Sequence, residues 1–201
     1  MSFFKKFFGS GSNQTNEEEN SEYNSELNSE LLIDEQFTFN FKKNGGKFIY
    51  CENKEEIREQ FENILEENDW YESEVLCHDS NLYYLLEENK LSFSVSKDPK
   101  FLLASCENLI AEDGSVFFSS KQIKQLKPHE LPANMVIVAT TSQIIATKGD
   151  GMHFIKNKYT HDKEYPNNIT TLKYFEKAKE EDFLTYGSAA KNLYLLLLED
   201  L

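Results

Sequence analysis

Four consecutive polar residues, Glu112-Asp113-Gly114-Ser115, separate two apolar runs and carry the side chains best suited to chemistry. The carboxyl group of Glu112 or Asp113 could act as an acid or base. The hydroxyls of Ser115 and Ser142, with backbone amides near Gly114, could bind an anion such as a carboxylate or phosphate. The same residues also fit a hairpin turn, since Gly accepts a positive φ and Asp tolerates it. The sequence leaves a ligand site and a simple acidic turn open.

The cysteines and histidines lack the spacing of a metal or nucleophile site. Cys51, Cys77 and Cys106 are odd in number and form no CxxC pair, so we expect no disulfide framework, metal site or cofactor. Cys77 precedes His78, but neighbouring residues of a strand point to opposite faces. We therefore predict that Cys77 and Cys51 are buried small hydrophobes. Three histidines without ligand spacing are predicted at the surface or in loops: His129, His153 and His161.

The charge of the chain restricts its partners. The 201 residues carry a net charge of -14 and show no cluster of Lys and Arg, which argues against nucleic acid as the main partner. No apolar run reaches the 18 or so residues of a membrane-spanning helix. The start lacks the apolar region and cleavage site of a signal peptide, so we predict a cytoplasmic protein.

The first 30 residues form a predicted N-terminal tail. Its start places four phenylalanines around Lys5 and Lys6, a short amphipathic segment that could contact a membrane surface or a partner. Residues 10–30 are almost entirely polar and acidic, a composition typical of a flexible tether. We therefore expect the folded domain to span residues 31–201.

Alternating strands and helices are predicted to position the Glu112–Ser115 corner. A helix is predicted from Leu31 to a stop signal at 44–46, and a strand follows over 47–51. The next helix is capped by Asn53 and has one apolar face, formed by Ile57, Phe61, Ile64 and Leu65. A strand over 73–77 and a helix capped at 79–80 complete this half. Short connections between such elements favour parallel strands. Ligands bind beyond the carboxyl ends of parallel strands, which here are 51–53, 77–79 and 140–143.

The second half predicts a hairpin and two central strands. Asn108–Ala111 and Val116–Ser119 pair around the acidic corner, while Met135–Ala139 and Asn192–Leu198 are apolar runs typical of strands buried on both faces. A short strand is possible over 91–95, a helical turn is expected over 99–106, and a helix over 169–179. The predicted fold is a three-layer α/β domain with a mainly parallel sheet.

Several segments, taken in order, resemble one known family, the LUD domain of the lactate-utilisation protein C subunits. They are Ile110 to Ser120, the Leu131-Pro132 step, Val136 to Val138, Gln143 to Ile145 and residues 186–198. The resemblance covers about residues 31–201. It implies a fold like that of ribose-phosphate isomerase, glucosamine-phosphate deaminase and CoA-transferase. It also implies a cytosolic accessory role in oxidising L-lactate to pyruvate beside iron–sulfur subunits, without assigning catalytic residues.

This chain departs from the family pattern at three places. Asp113 stands where the family usually has Thr. A Gly- and Ser-rich turn is replaced by the Asn-rich segment 165–171, and a later His motif is absent from 186–190.

Three hypotheses follow from the sequence. In the first, an accessory LUD-like protein binds a small carboxylate or phosphate at a site lined by Glu112, Asp113, Gly114, Ser115, Ser119 and Gln143. In the second, the chain is an enzyme of the isomerase or CoA-transferase type with Glu112 as its acid, base or nucleophile. In the third, it is a non-catalytic interaction module tethered through its Phe-rich start.

Overall fold

The computed structural model describes residues 31–93, 98–160, 165–166, 168–173, 175 and 191–201. Residues Ile33–Leu201 belong to one compact unit. The predicted tail, part of the segments 91–95 and 169–179, the resembling stretch 186–190 and His161 lie outside the described residues. His129 and His153 are exposed, as expected. Among the described residues, no helix is long and apolar enough for a membrane span.

A five-stranded parallel sheet forms the centre of the unit. Its strands, in spatial order, are β1 (Lys47–Cys51), β9 (Asn192–Leu198), β6 (Asn134–Thr140), β3 (Phe101–Ser105) and β2 (Val75–Leu76). β6 pairs with β9 over seven residues and with β3 over five. Both faces of these inner strands are buried, as their continuous apolar runs require. The predicted three-layer α/β fold with a mainly parallel sheet is confirmed.

Helices pack against this sheet, except for the last one, which packs against a second sheet. The helices are α1 (Ile33–Lys43), α2 (Lys54–Asn68), α3 (Tyr83–Glu88), α4 (Ser120–Ile123) and α5 (Lys148–Lys158). Asn53 caps α2 as predicted, since its side chain accepts a 2.9 Å hydrogen bond from the backbone of Glu56. The predicted apolar face of α2 is buried in the main core. Asp79 caps a single 3-10 turn, Ser80–Leu82, that leads into α3.

A second, four-stranded sheet carries the predicted hairpin. Its order is β7 (Ile144–Ile145), β4 (Asn108–Ile110), β5 (Ser115–Ser119) and β8 (Ile169–Leu172). β4 and β5 are antiparallel, as predicted. β4 begins three residues after β3 ends, so the second sheet starts at the carboxyl end of a central strand. This separate sheet was not predicted from the sequence.

The predicted helical turn over 99–106 is wrong. Phe101–Ser105 is β3, paired with β2 on one side and β6 on the other. Phe101, Leu102 and Leu103 are completely buried. An unbroken apolar run buries both faces in a sheet, whereas one turn of helix would leave part of it in water.

The predicted helix over 169–179 is also wrong where the structure describes it. Ile169–Leu172 is β8, which pairs with the outer side of β5. Thr170 and Leu172 are buried while Thr171 is exposed, the two-residue period of a strand. The strand predicted over 73–77 is shorter, Val75–Leu76, and Ser92 forms only an isolated bridge with Glu74.

Candidate functional site

The backbone of the Glu112–Ser115 turn is held by α1. Gly114 has a φ of +68° and donates to the carbonyl of Ile110 at 2.9 Å. A Cβ at Gly114 would lie 2.4 Å from the carbonyl carbon of Asn40, so a side chain does not fit. The Asn40 amide donates to the carbonyl of Ala111 at 2.8 Å, and the Asn44 amide donates to that of Asp113 at 2.7 Å. The turn is therefore a joint between the hairpin and α1.

The acidic side chains of the turn have partners in the fold. Glu112 accepts a 2.9 Å hydrogen bond from the backbone of Lys148, at the start of α5. Asp113 accepts from Ser115 Oγ at 2.6 Å and lies 2.6 Å from the Lys148 ammonium. Burial would raise the pKa of Asp113, but Lys148 and Ser115 outweigh it, so its pKa is lowered. Both carboxylates thus help to attach α5. Ligand binding at this turn stays a prediction.

The predicted site residues separate into two groups. Glu112 to Ser115 lie together in the turn, but Ser119 lies at the other end of β5, four residues or roughly 13 Å away. Gln143 accepts from the backbone of Thr140 at 2.8 Å and donates to the carbonyl of Cys106 at 2.7 Å. It thereby ties the exit of β6 to the exit of β3.

The polar groups at the carboxyl edge of the parallel sheet are paired with one another. Ser142 does not join Ser115 but donates to Asp200 at 2.7 Å. Ser105, at the end of β3, donates to Asp79 at 2.6 Å. Acidic side chains thus prevail at these strand ends, which disfavours an anionic ligand there.

Cys51 and Cys77 are buried, as predicted, and Cys106 is buried as well. Burial raises the pKa of Cys51 to about 12 and that of Cys77 to about 11, so both thiols are protonated near neutral pH. Burial also raises the pKa of Cys106. Burial and nearby Lys124 lower the pKa of His78. In the described part of the chain, no three His, Cys, Asp or Glu side chains are placed to hold a metal ion.

The structure reveals a second polar region, the Glu107 cluster, which we define as Glu107, Ser119, Gln122, Lys158 and Tyr159. Glu107 is completely buried. Its Oε1 accepts from Ser119 Oγ at 2.6 Å, Tyr159 Oη at 2.8 Å and Gln122 Nε2 at 3.0 Å. Its Oε2 accepts from Lys158 Nζ at 2.9 Å. Four side chains from β5, α4 and the C-terminal end of α5 thus converge on one carboxylate.

Hydrogen bonding keeps this buried carboxylate charged. Burial would raise the pKa of Glu107, but the donors Ser119, Lys158, Gln122 and Tyr159 together lower it. Burial and the hydrogen bond to the same carboxylate raise the pKa of the Tyr159 hydroxyl. The pKa of Lys158 is also raised, since bonding to Glu107 outweighs burial. The cluster is an ion pair whose carboxylate is completely buried and whose ammonium is half exposed.

Asn108, the residue after Glu107, has a side-chain amide without a partner. It is completely buried, and neither Nδ2 nor Oδ1 makes a hydrogen bond within the described structure. A buried polar group left unpaired costs about 1–3 kcal/mol. Asn108 is thus the polar side chain in this region that the fold itself does not use.

Sequence reasoning missed Glu107, although a signal was present. Glu107 is a charged residue inside a mostly apolar run from Phe101 to Ala111. Such a residue is almost never fully buried unless it is paired.

The fold is similar to that of a DUF162 family protein from Deinococcus radiodurans, known from a crystal structure at 1.70 Å resolution. The TM-score is 0.56, and the match covers 84% of this chain and 96% of that chain at 13% sequence identity. No protein-family model and no curated protein matches the sequence. The comparison shows a shared α/β fold.

Proposed function

We propose that the chain is a divergent LUD-like protein with an accessory role in the oxidation of L-lactate to pyruvate, beside iron–sulfur subunits in the cytoplasm. The observation that carries the proposal is the fold shared with the DUF162 protein along 96% of that chain, since DUF162 is the LUD-domain family. The order of the resembling segments in the sequence adds to this support.

An accessory role suits the contacts of the predicted catalytic candidate. Glu112 accepts a hydrogen bond from the backbone of Lys148 and helps to fix α5. The three buried thiols have raised pKa values, which does not favour them as nucleophiles. Binding a small carboxylate or a partner subunit requires neither a catalytic carboxylate nor a reactive thiol, whereas turnover would require such a group.

Deleting the gene in its native host tests the proposal. We expect growth on L-lactate as sole carbon source to fail while growth on pyruvate continues, and the wild-type gene to restore it. The Glu112→Gln variant should also restore growth, because its amide oxygen still accepts from Lys148. Unchanged growth of the deletion strain on L-lactate would contradict the proposed function.

The same experiment distinguishes the enzymatic alternative from the accessory role. If folded Glu112→Gln protein failed to restore growth, a catalytic Glu112 of the isomerase or CoA-transferase type would replace the accessory role. Co-expression with the iron–sulfur subunits tests the partner directly, and we expect them to co-purify with the tagged chain.

A further inference from the structure

The β8 strand forms one edge of the second sheet, with β5 on its inner side. The backbone of Ser120 donates to the carbonyl of Asn168 at 3.0 Å, which fixes where the hydrogen-bonded pairs between β5 and β8 fall. By that alternation, Ile169 and Thr171 direct their N–H and C=O groups away from β5. Within the described residues, neither makes a backbone hydrogen bond on this outer side. Such an edge is a template for a further strand.

Helix α5 lies alongside β8 and runs in the opposite direction. At one end, the ammonium groups of Lys148 in α5 and Lys173 just after β8 lie 2.6 Å and 3.7 Å from the same Asp113 carboxylate. At the other end, Tyr159 just after α5 and Ile169 at the start of β8 pack against the same apolar cluster. The two elements are therefore neighbours along the whole length of β8.

One flank of α5 faces this strand. Lys148, Met152 and Lys156 follow one another at four-residue intervals, and Tyr159 comes three residues later, so the four lie along one side of the helix. Because both ends of this row lie beside β8, Met152 and Lys156 lie there too. The side chain of Met152 is 48% exposed, and Lys156 is exposed as well.

The sheet beside this flank is open to solvent. Thr171 pairs with Phe117, and cross-strand partners lie on the same face of a sheet. Phe117 lies beneath α5, since a Cβ at Gly151 would lie 3.2 Å from Phe117 Cε2. Phe117 is buried whereas Thr171 is exposed, so α5 covers β5 and stops short of β8. We call the exposed surface along this edge the β8 strip and define it as Lys148, Met152, Lys156, Thr171 and Lys173.

The β8 strip is positively charged. Its three lysines face one carboxylate, Asp113, and Lys156 makes no ion pair in the described part of the chain. In a chain with a net charge of -14, this strip is a locally favourable place for carboxylates. The same lysines would repel one another if two copies of the chain paired through this edge, which disfavours a second copy as the occupant.

We propose that the β8 strip is a docking surface for an extended acidic segment of a partner protein, which joins the second sheet as a fifth strand. The backbone of that segment pairs with Ile169 and Thr171, and its carboxylates lie beside Lys148 and Lys156. Its alternate side chains point to the face of Leu172, which is buried, and are apolar. A nucleic acid or an anionic membrane would contact the lysines but leave the strand edge unpaired. The surface does not depend on the proposed metabolic role.

Calorimetric titration of the full chain with synthetic peptides tests this proposal. The probe is a capped peptide of about eight residues that alternates Glu and Val, and its control alternates Lys and Val. We expect saturable binding of the Glu peptide and none of the Lys peptide. No saturable binding of the Glu peptide, or equal binding of both, would overturn the proposal and leave the lysines as protection of an exposed edge.

The Thr171→Pro variant tests the strand edge. Proline removes an N–H that points outward, so the pairing of β8 with β5 remains while the outer edge is blocked. We expect the Glu peptide to bind about tenfold more weakly or not at all. Thr171→Val is the matched control, because it keeps the N–H, and it should bind as wild type does. Unchanged binding in folded Thr171→Pro, or a loss in Thr171→Val, would contradict strand addition.

The Lys156→Glu variant tests the charge and needs no change of backbone. Replacing attraction by repulsion should weaken binding of the Glu peptide roughly fivefold or more at low salt, and the effect should shrink in about 0.5 M NaCl. Lys54→Glu at the start of α2 changes the net charge equally and should leave binding unchanged. Equal effects of the two variants would overturn the proposal, also where Thr171→Pro fails to fold. Binding of phosphatidylserine vesicles without peptide binding would assign the lysines to a membrane instead.

Discussion

The Glu112–Ser115 turn and the Glu107 cluster occupy opposite ends of the same strand, β5, and use acidic groups differently. In the turn, Glu112 and Asp113 are near the surface and attach α1 and α5 to the hairpin. In the cluster, one carboxylate is completely buried and gathers four donors, beside an amide without a partner. The comparison teaches that carboxylates near the surface serve as single attachment points between elements, whereas a completely buried carboxylate needs several donors from different elements to remain charged.

Removing the Glu107 carboxylate should have the largest effect. In Glu107→Ala the buried donors Ser119 and Gln122 lose their acceptor, and Lys158 loses its ion pair. We expect the free energy of unfolding to fall by about 3–5 kcal/mol in urea denaturation. The matched change in the turn, Glu112→Ala, should cost less than about 1 kcal/mol. Equal losses would end the distinction between the two regions.

Substituting Gly114 tests the turn as a joint. In Gly114→Ala the new methyl group meets the backbone of Asn40, and a residue other than glycine is strained at a φ of +68°. We expect a loss of about 3 kcal/mol, measured by thermal and urea unfolding. Gly149→Ala in α5 is the control, because its Cβ would have ordinary contacts, the nearest being Thr147 Oγ1 at 3.6 Å. A stable Gly114→Ala protein would show that α1 does not fix the turn.

How much of the fold and of the candidate site the sequence predicts depends on how far along the chain the partners of each residue lie. The hairpin and the apolar face of α2 follow from patterns within about ten residues, and both are confirmed. β3 was missed because Phe-Leu-Leu-Ala has no period that separates strand from helix.

Glu107 was missed for a related reason. Ser119 lies 12 residues from it and Tyr159 lies 52 residues from it, so its site exists only once β5 and α5 are in place. The predicted residues Ser119 and Gln143 belong beside Glu107 rather than beside the turn, and only tertiary structure reveals this.

A smaller effect is expected in the pH dependence of stability, which reports the ionisation of the buried Glu107 carboxylate. Because the pKa of Glu107 is lowered in the folded protein, its ionised form stabilises the fold above the ordinary glutamate pKa of about 4.3. That contribution is lost as the pH falls through the lowered pKa. The stability difference between wild type and Glu107→Gln should stay constant from about pH 7 to 5 and shrink below about pH 4.3 in urea denaturation. A difference that grows toward acid pH would contradict the lowered pKa.

The smallest effect is expected for Lys148→Ala. Its ammonium lies 2.6 Å from Asp113, but the side chain is 47% exposed. Exposed ion pairs contribute roughly 0–1 kcal/mol and weaken with salt, so the loss should stay below about 1 kcal/mol and shrink in 1 M NaCl. Thermal unfolding at low and high salt measures it. A salt-independent loss above 2 kcal/mol would make the turn as tightly coupled as the cluster.

The most direct test of the central claim compares one ion pair from each region by double-mutant cycles in urea denaturation. The cycle in the cluster combines Glu107→Gln with Lys158→Met, and the cycle in the turn combines Asp113→Asn with Lys148→Met. We predict a coupling free energy above about 1 kcal/mol in the cluster, where the carboxylate is completely buried, and below about 1 kcal/mol in the turn. A coupling in the turn equal to or larger than that in the cluster would contradict the account.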